Sequence, residues 1–214
     1  MESALKWSPL ARMNETTEAS LDRDAELMLR FKAGDRGAFE ALFDHHCASL
    51  VNFAYRFVRS REVAEELAQE VFLRVYDSAA GYRPKAKFTT WLYRIATNLC
   101  LNEVRRPRFR AAHESLDGPG PVDSDAGPIE LADQSSVSAD VVLQRQAISN
   151  ALRRALDQLP ERQRAAFILN KYEELSYAEV AEVMAVSEKA VKSLIHRAKE
   201  ALAVSLQPLM TELL

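Results

Sequence analysis

The chain has 214 residues, of which 48% are hydrophobic and 28% charged, and its formal net charge is −3 at neutral pH. This balance is ordinary for a globular protein and suits one or two domains with real cores. No apolar run approaches the ~18 residues of a membrane span, and the N-terminus lacks the apolar centre of a signal peptide. We therefore expect a cytoplasmic protein without membrane insertion.

Residues 1–22 are polar and irregular, which predicts a mobile N-terminal tail. From Asp24 onward apolar side chains recur at helical steps, and Gly34 and Gly37 favour a turn that interrupts them. The next long helix is predicted from about residue 61 to 77. Acidic side chains line much of the surface of this helix outside its core positions. Such an acidic face is usually just exposed to solvent, but it also suits docking on a basic partner helix.

The segment Tyr82–Arg110 combines aromatic and basic side chains. Counting from Lys85, it carries seven Lys and Arg residues against one Glu. Its apolar positions recur at helical steps and predict a helix with one face on a core: Phe88, Leu92, Ile95 and Leu99. Donors on the other faces can reach phosphates or base edges, and Tyr82 in the preceding loop can stack on an unpaired base. The simpler alternative, in which the aromatics are ordinary core and the arginines a solvated face, is equally compatible with these residues alone.

Composition changes sharply at residues 113–140, which carry seven Asp and Glu, no Lys or Arg, and Gly-Pro breakers. Such a segment buries too little apolar surface to order itself, so we predict a flexible acidic linker that self-repulsion keeps extended. A linker that imitates nucleic acid in a cationic channel is a further hypothesis. A plain tether is the more economical one.

The pattern is helical again from about residue 141 to 206. Ser176 and Glu179 have the spacing of a capping box, so a short helix is predicted to start there. Ser187 predicts the N-cap of a longer helix, and the spacing of the two is that of a helix-turn-helix. The longer helix presents hydrogen-bond donors away from its apolar stripe, which suits the major groove of DNA.

Neither a metal site nor a catalytic site is predicted. Cys47 and Cys100 lie in separate periodic segments without CxxC spacing, which indicates reduced, buried thiols. His45 and His46 precede Cys47, but consecutive helical positions point about 100° apart and do not readily converge on one ion. The sequence shows no paired carboxylate, Gly-rich phosphate loop or nucleophile elbow, so we expect no enzyme activity and no cofactor.

Taken in order, these segments resemble the extracytoplasmic-function (ECF) sigma factors, an RpoE-like group of the sigma-70 family of bacterial RNA polymerase. The resemblance runs from Asp24 to Leu209. It rests on ordered motifs: Gly37-Ala38-Phe39, Ala68-Gln69-Glu70-Val71-Phe72, the run TWLYRIATN at residues 90–98, Leu159-Pro160, Leu175-Ser176-Tyr177 and Arg197-Ala198. It implies an all-α fold of two small helical domains joined by the flexible acidic linker, with the helix-turn-helix in the C-terminal domain.

The resemblance also divides the chain by role. Residues 23–112 are expected to form a sigma region 2 domain that docks on core polymerase and recognises and melts the minus-10 promoter element. Residues 141–214 are expected to form a region 4 domain that reads the minus-35 element as duplex. A base flipped out of the stack is expected to enter the loop at Tyr82. The minus-10 residues implied are Tyr82, Arg83, Lys85, Lys87, Trp91, Arg94, Thr97, Asn98, Arg105 and Arg106.

Three partners follow from the resemblance: core RNA polymerase, promoter DNA and an anti-sigma factor. Docking on the coiled coil of the polymerase's largest subunit is implied for Glu65, Glu66, Gln69, Glu70, Phe72 and Arg74. Contact with the minus-35 element, beside the polymerase flap, is implied for Lys189, Lys192, Ser193, His196, Arg197 and Lys199.

The sequence departs from the family pattern in two places. Residues 187–190 read Ser-Glu-Lys-Ala where members commonly have Pro-x-Gly-Thr, and Glu174 replaces a common turn glycine. No known promoter sequence is therefore transferred to this chain. The alternative function is a stand-alone helix-turn-helix regulator, which accounts for residues 176–203 but gives the aromatic-basic and acidic helices no purpose.

Overall fold

The computed structural model describes residues 22–107 and 139–212, which are helical and contain no strand. The predicted tail and linker lie outside these residues except at their last positions. No helix within the two ranges is long and apolar enough to cross a bilayer. The described residues form eight α-helices, in chain order α1 Arg23–Lys32, α2 Arg36–Val58, α3 Arg61–Ser78, α4 Phe88–Val104, α5 Ala139–Asp157, α6 Glu161–Lys171, α7 Tyr177–Met184 and α8 Glu188–Glu212. A 3-10 turn at Ala79–Gly81 follows α3.

Side-chain caps begin the first three helices. Asp22, Asp35 and Ser60 accept hydrogen bonds from backbone N–H groups three residues further on, at 2.6, 3.3 and 3.3 Å. These bonds satisfy amides that have no partner within the first helical turn. Between α1 and α2, Gly34 adopts a φ of +104°. This left-handed backbone favours glycine, and it confirms the predicted turn.

Helices α1–α4, called the N-terminal group below, enclose an apolar core. The predicted inner face of α4 is confirmed at three of its four positions: Phe88 and Leu92 are fully buried and Leu99 is nearly so. Ile95 packs against the core but is only partly buried. The other large, fully buried side chains of this group are Met28, Leu42, Leu50, Phe53, Phe57 and Val75.

Helices α5–α8 form the C-terminal group, in which α7 and α8 make the predicted helix-turn-helix. The capping box is present, because the Ser176 hydroxyl accepts from the Glu179 amide while the Glu179 carboxylate accepts from the Ser176 amide at 2.8 Å. The Ser187 hydroxyl accepts from the Ala190 amide at 3.2 Å. Both predicted helix starts are therefore confirmed.

The C-terminal group is closed onto the N-terminal group. Buried apolar residues of α6 and α7 belong to the same continuous cluster as those of α1–α4, and α7 lies against α4. A smaller cluster joins α5 to α8 through Ala155, Leu156, Ala198 and Leu202, with Leu159 from the loop after α5, and the partly buried Phe167 of α6 packs against it. The minus-10 segment proposed from the sequence is thus also the contact surface for the C-terminal group.

The turn between α7 and α8 allows a matched test of backbone strain. Ala185 has a φ of +53°, in the left-handed region that penalises a Cβ atom. We expect Ala185→Gly to stabilise the chain by up to about 1 kcal/mol, whereas the same change at exposed, helical Ala203 should destabilise it by about 1 kcal/mol. Urea unfolding followed by circular dichroism measures both; a loss of stability in both variants would contradict the strain argument.

Candidate nucleic-acid interface

One polar stripe runs along α4. Arg94 and Asn98 lie one turn apart on α4, within about 40° of each other. Lys87 and Arg105, the residues that immediately precede and follow the helix, stand seven positions before Arg94 and seven after Asn98. All four are exposed. The stripe offers three cations and one amide along α4 and at its two ends, an arrangement that suits the backbone of a nucleic-acid strand.

The C-terminal group bridges both ends of this stripe. Lys87 Nζ lies 2.8 Å from Glu179 Oε1, and Arg105 Nε donates to Glu161 Oε2 at 2.7 Å. Hydrogen bonds from Lys87 and Ser176 lower the pKa of Glu179 to about 2, so this carboxylate is ionised at neutral pH. Carboxylates thus occupy the two ends of the stripe, while Arg94 and Asn98 between them remain open.

A buried polar contact lies beside the stripe. The Tyr93 hydroxyl donates a short hydrogen bond to Glu173 Oε2, and Arg56 Nη1 lies 3.6 Å from Glu173 Oε1. The Arg56 guanidinium also covers the Tyr172 ring at 4.2 Å from its centroid. Burial raises the pKa of Glu173. No local sequence signal identifies this contact, because its partners are 80 or more positions apart.

Arg164 joins the two helix groups at the end of α2. It is only 6% exposed, and its guanidinium donates to Asp157 Oδ1 at 3.0 Å and to the Phe57 carbonyl at 3.2 Å. Arg59 reaches the same Asp157 carboxylate at 3.0 Å. Burial lowers the pKa of Arg164, whereas the paired Asp157 carboxylate raises it and so favours the charged guanidinium.

Two residues implied for minus-10 contact are buried, which corrects their expected placement. Tyr82 is 6% exposed, and its ring packs on the Trp91 ring with centroids 5.0 Å apart. The ring is buried because it contacts the aromatic side chains of the adjacent α4. Burial raises the pKa of Tyr82 to about 12, and its hydroxyl has no hydrogen-bond partner among the described residues. Thr97 is 2% exposed and faces the core rather than solvent. Base stacking by Tyr82 remains a prediction that requires the loop to move.

A surface cavity of about 530 Å³ opens beside Tyr82 and Trp91. Two exposed cations, Arg83 and Lys85, and the Asp77 carboxylate also line it. The cavity therefore combines aromatic residues with a small excess of positive charge at the place where the sequence predicts a flipped base. The last predicted cation, Arg106, is exposed but pairs with Glu103 at 2.8 Å.

The predicted docking face of α3 is exposed except for one residue. Glu65, Glu66, Gln69 and Arg74 lie on the surface, and Glu70 is partly exposed. Phe72 is 3% exposed and packs against Phe43, so its side chain lies beneath this face rather than on it. Phe72 is buried because it follows the buried Val71 on the side of α3 that faces the core.

Apolar surface beside the acidic face was missed by the sequence reasoning. Leu73 is 60% and Tyr76 52% exposed. A groove of about 590 Å³ between α2 and α3 is lined in part by Phe43, Val51 and Cys47. Cys47 is therefore only partly buried, whereas Cys100 is buried as predicted. The sequence feature that could have predicted this surface is the presence of Leu73 and Tyr76 among the polar residues of the outer face of α3.

The helix-turn-helix surface is open. All its predicted contact residues are exposed: Lys189, Lys192, Ser193, His196, Arg197 and Lys199. Lys192 Nζ lies 6.0 Å from the centroid of the Tyr177 ring, and His196 Nε2 lies 3.4 Å from Glu200 Oε1. The closed arrangement thus leaves the duplex-reading face free while it bridges the stripe on α4.

Comparisons with known proteins agree with this architecture. The family model for sigma-70 region 2 matches residues 42–110, and that for sigma-70 region 4 matches residues 149–202. The RNA polymerase sigma-H factor of Pseudomonas aeruginosa is 33% identical over 198 residues, covering 89% of this chain and 97% of the relative. The ECF sigma factor SigW of Bacillus subtilis is 33% identical over 183 residues, covering 83% and 94%.

A solved structure shares the fold: the sigma factor RpoE in complex with the anti-sigma factor NepR from Bartonella quintana. It matches with a TM-score of 0.56 at 22% identity, over 79% of this chain and 96% of that one. This likeness supports the fold, and the sequence relatives, which the chain matches over nearly their full lengths, settle the family. The chain belongs to the ECF sigma factors of the sigma-70 family and is an alternative sigma factor for transcription initiation.

Proposed function

We propose that residues 23–112 capture the opened minus-10 strand along the α4 stripe. Lys87, Arg94 and Arg105 would contact phosphates, and Asn98 would offer an amide to the strand. The cavity beside Tyr82 and Trp91 supports insertion of a flipped base, since aromatic walls stack on any exposed base. Four exposed donors carry this assignment, two of them on one face of α4 and one at each end of the helix.

Strand capture would require the closed arrangement to open. Glu179 and Glu161 hold the two terminal cations of the stripe, so a phosphate must displace each carboxylate before it can bind there. Both ion pairs are partly solvated and therefore weak. Binding to the polymerase, which would separate regions 2 and 4, supplies a reason for them to break.

Docking on core polymerase is assigned to the outer face of α3. Its carboxylates would face cations of the largest subunit's coiled coil, with Gln69 hydrogen bonding among them. The exposed Leu73 and Tyr76 add apolar area to the same face, and apolar anchors contribute much of the binding energy at such interfaces.

The C-terminal region, residues 141–214, would read the minus-35 duplex with α8. Arg197→Ala is expected to weaken binding by ~1 to 3 kcal/mol and relax specificity at one position if the guanidinium makes a bidentate base contact. Fluorescence anisotropy on promoters with single-base changes measures this. If the affinity instead falls equally on all sequences, Arg197 contacts a phosphate rather than a base. Substitution of the exposed Lys199 on the same helix is the matched comparison.

The protein would act in the cytoplasm, where core polymerase and the chromosome are found, and without catalysis of its own. An anti-sigma factor is a further proposed partner. Support comes from the fold neighbour solved with such a factor bound, and from the apolar groove between α2 and α3, which suits a partner helix.

Transcription in vitro on a randomised promoter library tests the function. With core polymerase, the chain should select a defined pair of promoter elements and co-purify with the enzyme in stoichiometric amount. A chain that binds duplex DNA but leaves core polymerase unchanged in promoter choice would favour the stand-alone helix-turn-helix regulator.

A further inference from the structure

Three potential metal ligands meet where α1 crosses α2. Asp24 Oδ2 lies 2.9 Å from His46 Nε2, and Asp24 Oδ1 lies 3.3 Å from His45 Nδ1. One donor atom from each of the three residues lies within 4.8 Å of the other two. The geometric objection drawn from the sequence therefore does not hold, because the imidazoles of His45 and His46 fold to one side, with centroids 4.5 Å apart.

We propose that Asp24, His45 and His46 form a binding site for a divalent first-row transition metal ion such as Zn²⁺. Bonds of about 2.0 to 2.1 Å in a tetrahedral site separate the ligand atoms by roughly 3.4 Å. Each imidazole already lies near that distance from one oxygen of the Asp24 carboxylate: His46 Nε2 is 2.9 Å from Oδ2 and His45 Nδ1 is 3.3 Å from Oδ1. The His45 side chain is 63% exposed, so it can rotate away from Oδ1 to bring its nitrogen toward the oxygen that His46 contacts.

The chemistry of the ligands selects the metal. Two imidazoles and one carboxylate suit Zn²⁺, Co²⁺ or Ni²⁺, whereas Mg²⁺ and Ca²⁺ prefer oxygen ligands alone. The exposed side of His45 gives the ion a route from solvent and leaves a fourth position for water.

The surroundings hold the ligands in place. Asp24 is 9% and His46 7% exposed, and the His46 ring packs on the Phe88 ring with centroids 5.6 Å apart. Asp22, which caps α1, also accepts a hydrogen bond from the Phe88 amide at 2.9 Å. An ion at this point would tie α1 to α2 directly beneath the start of α4. Metal occupancy would therefore stabilise the base of the Tyr82 loop.

Isothermal titration of the metal-free full chain with Zn²⁺ tests the site. One equivalent should bind, and the thermal unfolding midpoint should rise with free Zn²⁺ because only the folded chain holds the assembled ligands. His45→Asn removes the exposed ligand without opening the core and should weaken binding at least about tenfold. Asp24→Asn should do the same, and Co²⁺ absorption should report nitrogen and oxygen ligands without thiolate.

Two matched variants separate this site from other donors. His196→Asn removes the exposed imidazole that lies beside Glu200, and Cys47→Ser removes the neighbouring thiol; both should leave Zn²⁺ affinity unchanged. Equal affinity in His45→Asn and the parent, loss of binding in His196→Asn, or no binding at all would overturn the proposal. In those cases the three side chains form a hydrogen-bonded cluster only.

Discussion

Arg164→Ala is expected to lower the free energy of unfolding by about 2 to 4 kcal/mol. The substitution removes a buried cation that pairs with Asp157 and donates to the Phe57 carbonyl. Asp157 retains Arg59, but the carbonyl loses its donor and a void replaces the buried guanidinium. Urea unfolding followed by circular dichroism measures the loss.

The control for this variant is Arg162→Ala. Arg162 lies two positions earlier on the same helix and is exposed, so its removal should change stability by no more than about 0.5 kcal/mol. Arg164→Met, which keeps an unbranched apolar stem, should fall between the two. If Arg164→Ala were as mild as Arg162→Ala, the contact at the end of α2 would not hold the helix groups together.

Release of the stripe on α4 should strengthen single-strand binding by the free chain. Glu161→Gln combined with Glu179→Gln removes both carboxylates that hold Lys87 and Arg105. Glutamine at position 179 still fits the capping box, so α7 should start normally. We expect a gain in affinity of about 2- to 10-fold, because each ion pair is partly solvated and weak. Anisotropy of a short labelled strand of mixed sequence measures it at low salt.

A charge-matched double variant controls for net charge. Glu182 and Glu188 are exposed and lie close to the same region of sequence, so Glu182→Gln with Glu188→Gln changes the total charge equally without touching the stripe. Equal affinities in the two double variants would mean that the bridging carboxylates do not compete with the strand. The difference should also shrink as salt rises, since screening weakens exposed pairs.

Local features were predictable from the sequence. The caps at Ser176 and Ser187 and the buried face of α4 depend on residues within a few positions of each other, where spacing determines structure. Glu174 was noted as a residue in place of a turn glycine, and its φ of +55° shows that the position requires that backbone. Such inferences need no knowledge of tertiary contacts.

Long-range partner choice was not predictable. Glu161, Glu173 and Glu179 give no sign in the sequence that they meet α4 residues 56 to 92 positions away. Tyr82 was expected at the surface, but burial against Trp91 and Phe88 outweighs exposure for a ring in a short loop. The approach of Asp24 to His45 and His46 likewise depends on how α1 crosses α2, which periodicity does not specify.

The continuous core shared by the two helix groups has a consequence for temperature. Opening it would expose apolar side chains of α4, α6 and α7 to water, and hydration of such surface raises the heat capacity. The free energy of opening should then follow a curve with a maximum rather than rise steadily on cooling. Because apolar burial weakens in the cold, the closed arrangement should loosen at low temperature as well as on heating.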